Sequence, residues 1–306
     1  MQKNTILHLL KNLKDPSSLD LKRKADKVAV FETGVLLIGE TGTGKDFWAD
    51  YIHKKSGKDK MLNLNCGDVP ENLLESEWFG YRKGAFTGAD KEFEGKWMSA
   101  SGGIIFLNQI DLLSVNMQSR LLRIIERKKF YPLGSSTEQE VNSRFLFSTD
   151  HDIEEKVRSG AFRKDLYYRI SAFSIKIRPL RERKDDIIPL VKFFTSEKDM
   201  GFELTGKGKK NLLDHKWEGN IREIQNFVNN ISIFKNVLED SDTEQLSGTL
   251  FSSEKPMLYD DIPLRELEIR YINHLIKKYG NKSKVAGILG ISRKSLYDRL
   301  KHYGKD

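Results

Sequence analysis

Cysteine is nearly absent from this chain: Cys66 stands alone among 306 residues, with no CxxC pair and no His/Cys cluster. Neither a disulfide framework nor a structural zinc site can be built, and a reducing cytoplasm fits. Long apolar runs are missing as well. The longest, such as Val35-Leu36-Leu37-Ile38, fall far short of the roughly 18 residues a membrane span needs. No charged-then-apolar leader opens the chain, so a soluble protein that is not exported is expected. Acids are scarce at one end. From Tyr271 to Asp306, nine Lys/Arg face two Asp/Glu, which accounts for +7 of the net +8. A basic tail on a nearly neutral body points to a polyanion partner for the tail alone, most often nucleic acid. A solvated lysine-rich face is the plainer alternative.

What is present is enough apolar material, 38% of the residues, for two or three domains. Ile6, Leu9, Leu10 and Leu13 recur at helical spacing until Asp15-Pro16-Ser17-Ser18, which is expected to break the helix, so residues 1–30 read as a helical lead-in. Strand-like runs at 35–38, 61–65, 103–107, 144–149 and 173–177 alternate with helical patterns. This predicts an α/β core over 31–178, its parallel sheet covered on both faces. Residues 179–236 read as all helical, with helices over Asp186–Phe194, Gly206–His215 and Asn220–Phe234. The acidic, aperiodic stretch 237–262 reads as a linker and 263–306 as a second helical domain.

Gly39-Glu40-Thr41-Gly42-Thr43-Gly44-Lys45 follows the strand at 35–38 and precedes a helical stretch. Its glycines let the backbone curl so that N–H groups face phosphates, the helix start adds positive potential, and Lys45 reaches the β- and γ-phosphates. A turn with no nucleotide is the alternative. Asp46 stands where most such loops carry Ser or Thr for magnesium; a carboxylate can also approach the hydrated ion. Near the C-terminus, Ser283–Leu289 and Arg293–Tyr303 form two short helices across Gly290-Ile291-Ser292, with Ser292 as N-cap. Val285, Ala286, Leu289, Ile291, Leu296 and Leu300 would pack inside this helix-turn-helix. Arg293, Lys294, Ser295, Tyr297 and Arg299, with Ser292, would then face double-stranded DNA. Leu264, Leu267, Ile272, Leu275 and Ile276 would supply a dimer face or core; a hairpin for protein contact is the alternative.

Past the loop come Leu73-Leu74-Glu75-Ser76-Glu77-Trp78-Phe79-Gly80 and then Gly84-Ala85-Phe86-Thr87-Gly88-Ala89, the string GAFTGA. From here to Trp217-Glu218-Gly219-Asn220-Ile221-Arg222-Glu223 and the helix-turn-helix, the chain resembles the AAA+ bacterial enhancer-binding proteins, activators of sigma-54 RNA polymerase. The resemblance spans roughly residues 30–306 and leaves no room ahead for a receiver domain. It implies ATP and Mg2+ as cofactors, a helical lid carrying sensor Arg222, and a Fis-type helix-turn-helix. It also implies that Phe86 and Thr87 engage the sigma factor. Arg163 and Arg169 become arginine fingers acting in trans, so copies of the chain would assemble, from dimer to hexameric ring.

In the family the stretch Leu107-Asn108-Gln109-Ile110 carries Asp then Glu. Here Asn108 and Gln109 keep the shape but cannot take a proton or offer a full negative charge. Asp150 stands where the family has its sensor asparagine. Three accounts stay open. Asp150, with help from Asp46 or Asp111, restores a carboxylate near the water or magnesium; the site is relaxed and the ring is a nucleotide-held switch; or Asp→Asn and Glu→Gln were substituted deliberately to trap ATP. The function implied is a sigma-54-dependent transcriptional regulator whose ATPase activity is open. A non-hydrolysing partner of an active homologue and an ATP-bound DNA-organising protein are the alternatives.

Overall fold

In a computed structural model of the chain, residues 10, 12–67, 70–150, 152–244, 246, 272, 276 and 280–302 are described. They fall into two compact units divided at 247/248.

The first unit begins with helix α1 (Pro16–Ala29). Asp15 caps it by accepting from Ser17 N at 2.9 Å, and Pro16 occupies the first turn, where its missing N–H costs nothing. The helical turn at residues 10 and 12 ends before residue 13, as the sequence predicts, and the Asp15-Pro16 pair then starts a new helix that it does not predict. The other end of α1 is closed by Arg144, whose buried guanidinium donates to Val28 O, Ala29 O and Thr33 O at 2.7–3.0 Å.

Strands β1 (Val35–Ile38), β2 (Met61–Asn65), β3 (Ile104–Asn108), β6 (Arg144–Thr149) and β7 (Ser174–Lys176) form one parallel sheet in the order β2-β3-β6-β1-β7. Their side chains divide by alternation: Val35, Leu37, Ile104 and Phe106 face one apolar core, Leu36, Ile38, Ile105 and Leu107 the other. A sheet buried on both faces explains why these runs are continuously apolar. Helix α2 (Lys45–Ser56) buries Trp48, Ala49 and Ile52 in the first core together with α1. Helices α3 (Glu71–Phe79), α4 (Lys96–Ser99), α5 (Val115–Arg127), α6 (Ile153–Arg158) and α7 (Lys164–Ile170) cover the second. Strands β4 (Lys129–Phe130) and β5 (Gln139–Glu140) make a small antiparallel hairpin. The loop after β1 and the ends of β3 and β6 share the carboxyl edge of the sheet, where open α/β folds place ligands.

The lid is built from α8 (Ile187–Glu197), α9 (Gly206–Asp214) and α10 (Asn220–Phe234) around the fully buried Trp217. It is not all helical. Strand β8 (Gly201–Glu203) pairs in parallel with β9 (Val237–Glu239), and α11 (Asp240–Glu244) follows. The acidic stretch expected to be a linker from residue 237 thus opens as part of the lid. Its acids serve as acceptors: Asp240 receives Thr205 N at 2.9 Å, and Asp242 receives Glu239 N at 2.9 Å and Lys235 Nζ at 2.8 Å. Most of the remainder of 237–262 lies outside the described residues.

In the second unit, α12 (Lys282–Ile288) is capped by Asn281, which accepts from Ser283 N and Lys284 N. Helix α13 (Arg293–His302) is capped by Ser292, whose Oγ accepts from Ser295 N at 3.1 Å. Gly290 turns between them at φ 66°, a left-handed value that glycine adopts without strain. Ile272, Val285, Ala286 and Leu296 form the core, with Ile276, Leu289, Ile291 and Leu300 against it. Leu264, Leu267, Leu275 and Tyr303 lie outside the described residues. This is an α/β domain with a helical lid, plus an all-α helix-turn-helix.

Candidate functional site

The loop Gly39–Gly44 is held by its acceptors. Glu40 O takes Thr43 N and Thr43 Oγ1 at 3.3 and 2.7 Å, while the lid donates to the next three carbonyls. Asn220 Nδ2 reaches Thr41 O at 3.0 Å, Ile221 N reaches Gly42 O at 2.9 Å, and the Arg183 guanidinium reaches Thr43 O at 2.8 Å. Arg181 grips the Glu40 carboxylate with both nitrogens at 2.6 and 2.8 Å. Gly42 sits at φ 79°, and a Cβ there would lie 2.3 Å from Gly219 O, so glycine is required both by the turn and by the approach of the lid. The start of α2 then supplies backbone donors and a positive end potential.

Beside this loop lies a cavity of about 630 Å³. Thr41, Gly42, Gly44, Lys45 and Asp46 line its polar side, and Leu13, Leu190, Phe194 and Ile221 its apolar side. Arg183 and Arg222 also face it. A nucleotide fits this division, with phosphates on the loop and a base against the apolar wall. The buried Arg183 is a further lining residue, and its Nε has no hydrogen-bond partner. Burial works against its charge, and Asp186 opposes that. Asp186 in turn receives Lys14 N, Asp15 N and Ser18 Oγ, which anchors the lead-in beside Leu13. For a hydrated divalent cation, Asp46 and Asp50 bring carboxylates to the wall, beside the amides of Asn65 and Asn108. Burial first, then Asp50, hold the Asp46 carboxyl above its ordinary value, against the pull of Lys45 and Arg222.

The end of β3 presents amides in a closed network. Asn108 Nδ2 donates to Asp46 Oδ1 at 2.9 Å, and Ser148 Oγ donates to Asn108 Oδ1. Gln109 lines the cavity with a left-handed backbone, φ 56°. The two nearby acids are each paired with a lysine. Asp111 accepts from Thr149 Oγ1 at 2.9 Å and Lys156 Nζ at 2.6 Å, and is not part of the cavity wall. Asp150 pairs with Lys45 Nζ at 2.8 Å.

Arg163 and Arg169 do not line the cavity. Arg163 is tied to Asp165 at 2.6 and 3.0 Å and to Ser119 at 3.0 Å, while Arg169 is exposed. The GAFTGA string forms a tight tip, with Gly84 N bonded to Ala89 O at 2.9 Å and Ala89 N to Phe86 O at 3.0 Å. Arg82 N is bonded to Leu133 O at 3.0 Å, and Ala85 rests on Gly134. The Phe86 ring meets Tyr81 edge-on at 5.0 Å yet stays 47% exposed, beside the exposed Thr87. On α13, Arg293, Lys294 and Tyr297 are exposed, and Ser295 and Arg299 are half-buried. Lys282 lies over the Tyr297 ring at 4.8 Å.

Reading from sequence missed Leu13, Asp50, Leu190 and Phe194 on the cavity wall, and gave Arg183 no role. Only Asp50 left a signal, one helical turn beyond Asp46.

Fold and loop together define a P-loop AAA+ protein with a lid and a helix-turn-helix. Residues 12–176 match the Sigma-54 interaction domain, 181–256 the AAA+ ATPase lid domain, and 263–303 the bacterial regulatory protein family of Fis type. The transcriptional regulatory protein FlbD of Caulobacter vibrioides is 34% identical over 95% of this chain and 70% of its own length. ZraR of Klebsiella oxytoca is 38% identical over 93% and 67%, and the Nif-specific regulatory protein of Azotobacter vinelandii 36% over 90% and 55%. NtrX of Brucella abortus, solved in complex with ADP, shares the fold with a TM-score of 0.71 at 24% identity, over 95% of this chain and 68% of that one. The chain belongs to the sigma-54-dependent transcriptional regulators. Among the described residues no helix is long and apolar enough to cross a membrane.

Proposed function

We propose that this regulator works in the cytoplasm, holds ATP with Mg2+ between core and lid, and assembles with its own copies into a ring. In this reading the ring presents Phe86 and Thr87 to the sigma-54 polymerase and hydrolyses its nucleotide slowly. Lys45 and the loop glycines bind the phosphates, and Arg222 reports their presence to the lid. Asp46 and Asp50 would hold a hydrated cation, which would supply charge to the phosphates. Arg163 and Arg169, outside their own chain's cavity, serve the site of a neighbouring copy. Helix α13 gives Ser292, Arg293, Lys294, Ser295, Tyr297 and Arg299 to double-stranded DNA.

The observation that carries the slow step is the network at Asn108. An amide bonded to Ser148 and Asp46 offers no full charge, and Gln109 can orient a water but cannot accept its proton. Loss of a general base costs ~10²–10⁴ in rate. The competing repair, Asp150 with help from Asp46 or Asp111, finds Asp150 paired with Lys45, Asp111 with Lys156, and Asp46 accepting from Asn108 Nδ2.

The partner side is tested by capture of sigma-54 holoenzyme on the ATP-loaded chain. Phe86→Ala is expected to abolish capture while leaving nucleotide affinity unchanged; undiminished capture would remove the loop from the reading.

A further inference from the structure

The ammonium group of Lys45 has three protons, and three acceptors meet it: Gly39 O at 2.5 Å, Glu40 O at 3.3 Å and Asp150 Oδ1 at 2.8 Å. Two of these belong to the loop itself. The third is a carboxylate delivered from the end of β6. The Lys45 side chain is 8% exposed and that of Asp150 35%, so the pair sits where water screens charge only partly. The neighbouring end of β3 brings no charge to compete for Lys45, because Asn108 is neutral and already engaged with Asp46 and Ser148.

We propose that Asp150 is an internal competitor for the phosphate-binding lysine, making nucleotide binding by this chain conditional on a divalent cation. The inference rests on the nucleotide reading of the cavity. Lys45 can turn to a phosphate only by leaving Asp150, which strands a carboxylate that is two-thirds covered. If Lys45 keeps Asp150, the carboxylate faces the phosphates across a single ammonium. Both arrangements oppose binding of an anion, and neither arises with an amide at 150. A cation carried with the phosphates offsets the charge of Asp150, so the opposition is strongest without one.

The test is equilibrium titration of the full chain with a fluorescent ATP analogue, in Mg2+ and in EDTA. Asp150→Asn is expected to tighten binding about tenfold in EDTA, about 1.4 kcal/mol, and by clearly less in Mg2+. Asp150→Ala, which also removes the charge, should follow it. Equal or weaker binding by both variants in EDTA would overturn the proposal, as would an equal gain in both buffers. If the unchanged chain binds and only the variants fail to improve, the competitor idea falls and the nucleotide reading stands. If no protein binds in either buffer, both fall together.

Discussion

The loop leaving β1 and the residues ending β3 and β6 are within hydrogen-bonding reach of each other, yet they carry opposite kinds of chemistry. On the loop side every group needed to hold an anion is in place: the left-handed Gly42 and Gly44, the buried Lys45, and a lid that accepts no slack in the curl. On the strand side stand amides at 108 and 109 and, at 150, an acid that pairs with Lys45. Holding a nucleotide and cleaving it draw largely on different residues, and Asp150 is the one that touches both, through Lys45. Affinity and turnover should therefore respond to different substitutions.

The largest expected effect is on turnover. Asn108→Asp with Gln109→Glu should raise Mg2+-dependent phosphate release by ~10²–10⁴, read with purified protein at saturating ATP; a rise under tenfold would mean that the base is supplied elsewhere. On the loop side, Lys45→Ala should weaken nucleotide binding by roughly a hundredfold, the scale for removing one partner of a buried charge contact. An affinity within threefold of the original, in the same titration, would detach the loop from the nucleotide.

The smallest expected effect concerns the carboxyl where the two sides meet. Burial and Asp50 raise the Asp46 carboxyl in the folded chain, so between its ordinary value of 3.8 and the raised one the folded state binds more protons than the unfolded. Stability then falls as pH rises through that window, and at neutral pH the fold carries an unfavourable charge. Asp46→Asn keeps an oxygen for Asn108 Nδ2 and removes the charge, so melting of the nucleotide-free chain should shift upward at pH 7. The gain should vanish as pH falls toward 3.8. A gain that persists in acid would point to packing rather than charge.

How far the sequence disclosed this depended on the range of each interaction. The strands at 35–38, 61–65 and 144–149 and the helix Asn220–Phe234 lie where apolar period and flanking glycines put them. The three-residue strands β8 and β9 were invisible, because three residues carry no period and their pairing joins segments over 30 residues apart. The break before Pro16 is there, residues 13–15 being non-helical, but the new helix that Asp15 caps was missed, a matter of one side-chain bond. At the site, the loop was legible as a contiguous string. The partner of Asp150, 105 residues away, was not, and neither were Arg183 and Leu13, which reach the cavity only once the lid and the lead-in have folded beside it.

The central claim, that this chain holds a nucleotide it does not readily cleave, is most directly tested by the chemical state of what it holds. Protein in excess is mixed with radiolabelled ATP and Mg2+ and quenched in acid after about one second, long enough for an ordinary ATPase turning over at ~10 s⁻¹ to cleave what it holds. The account predicts that the bound label is recovered as ATP. Stoichiometric recovery as ADP would contradict it.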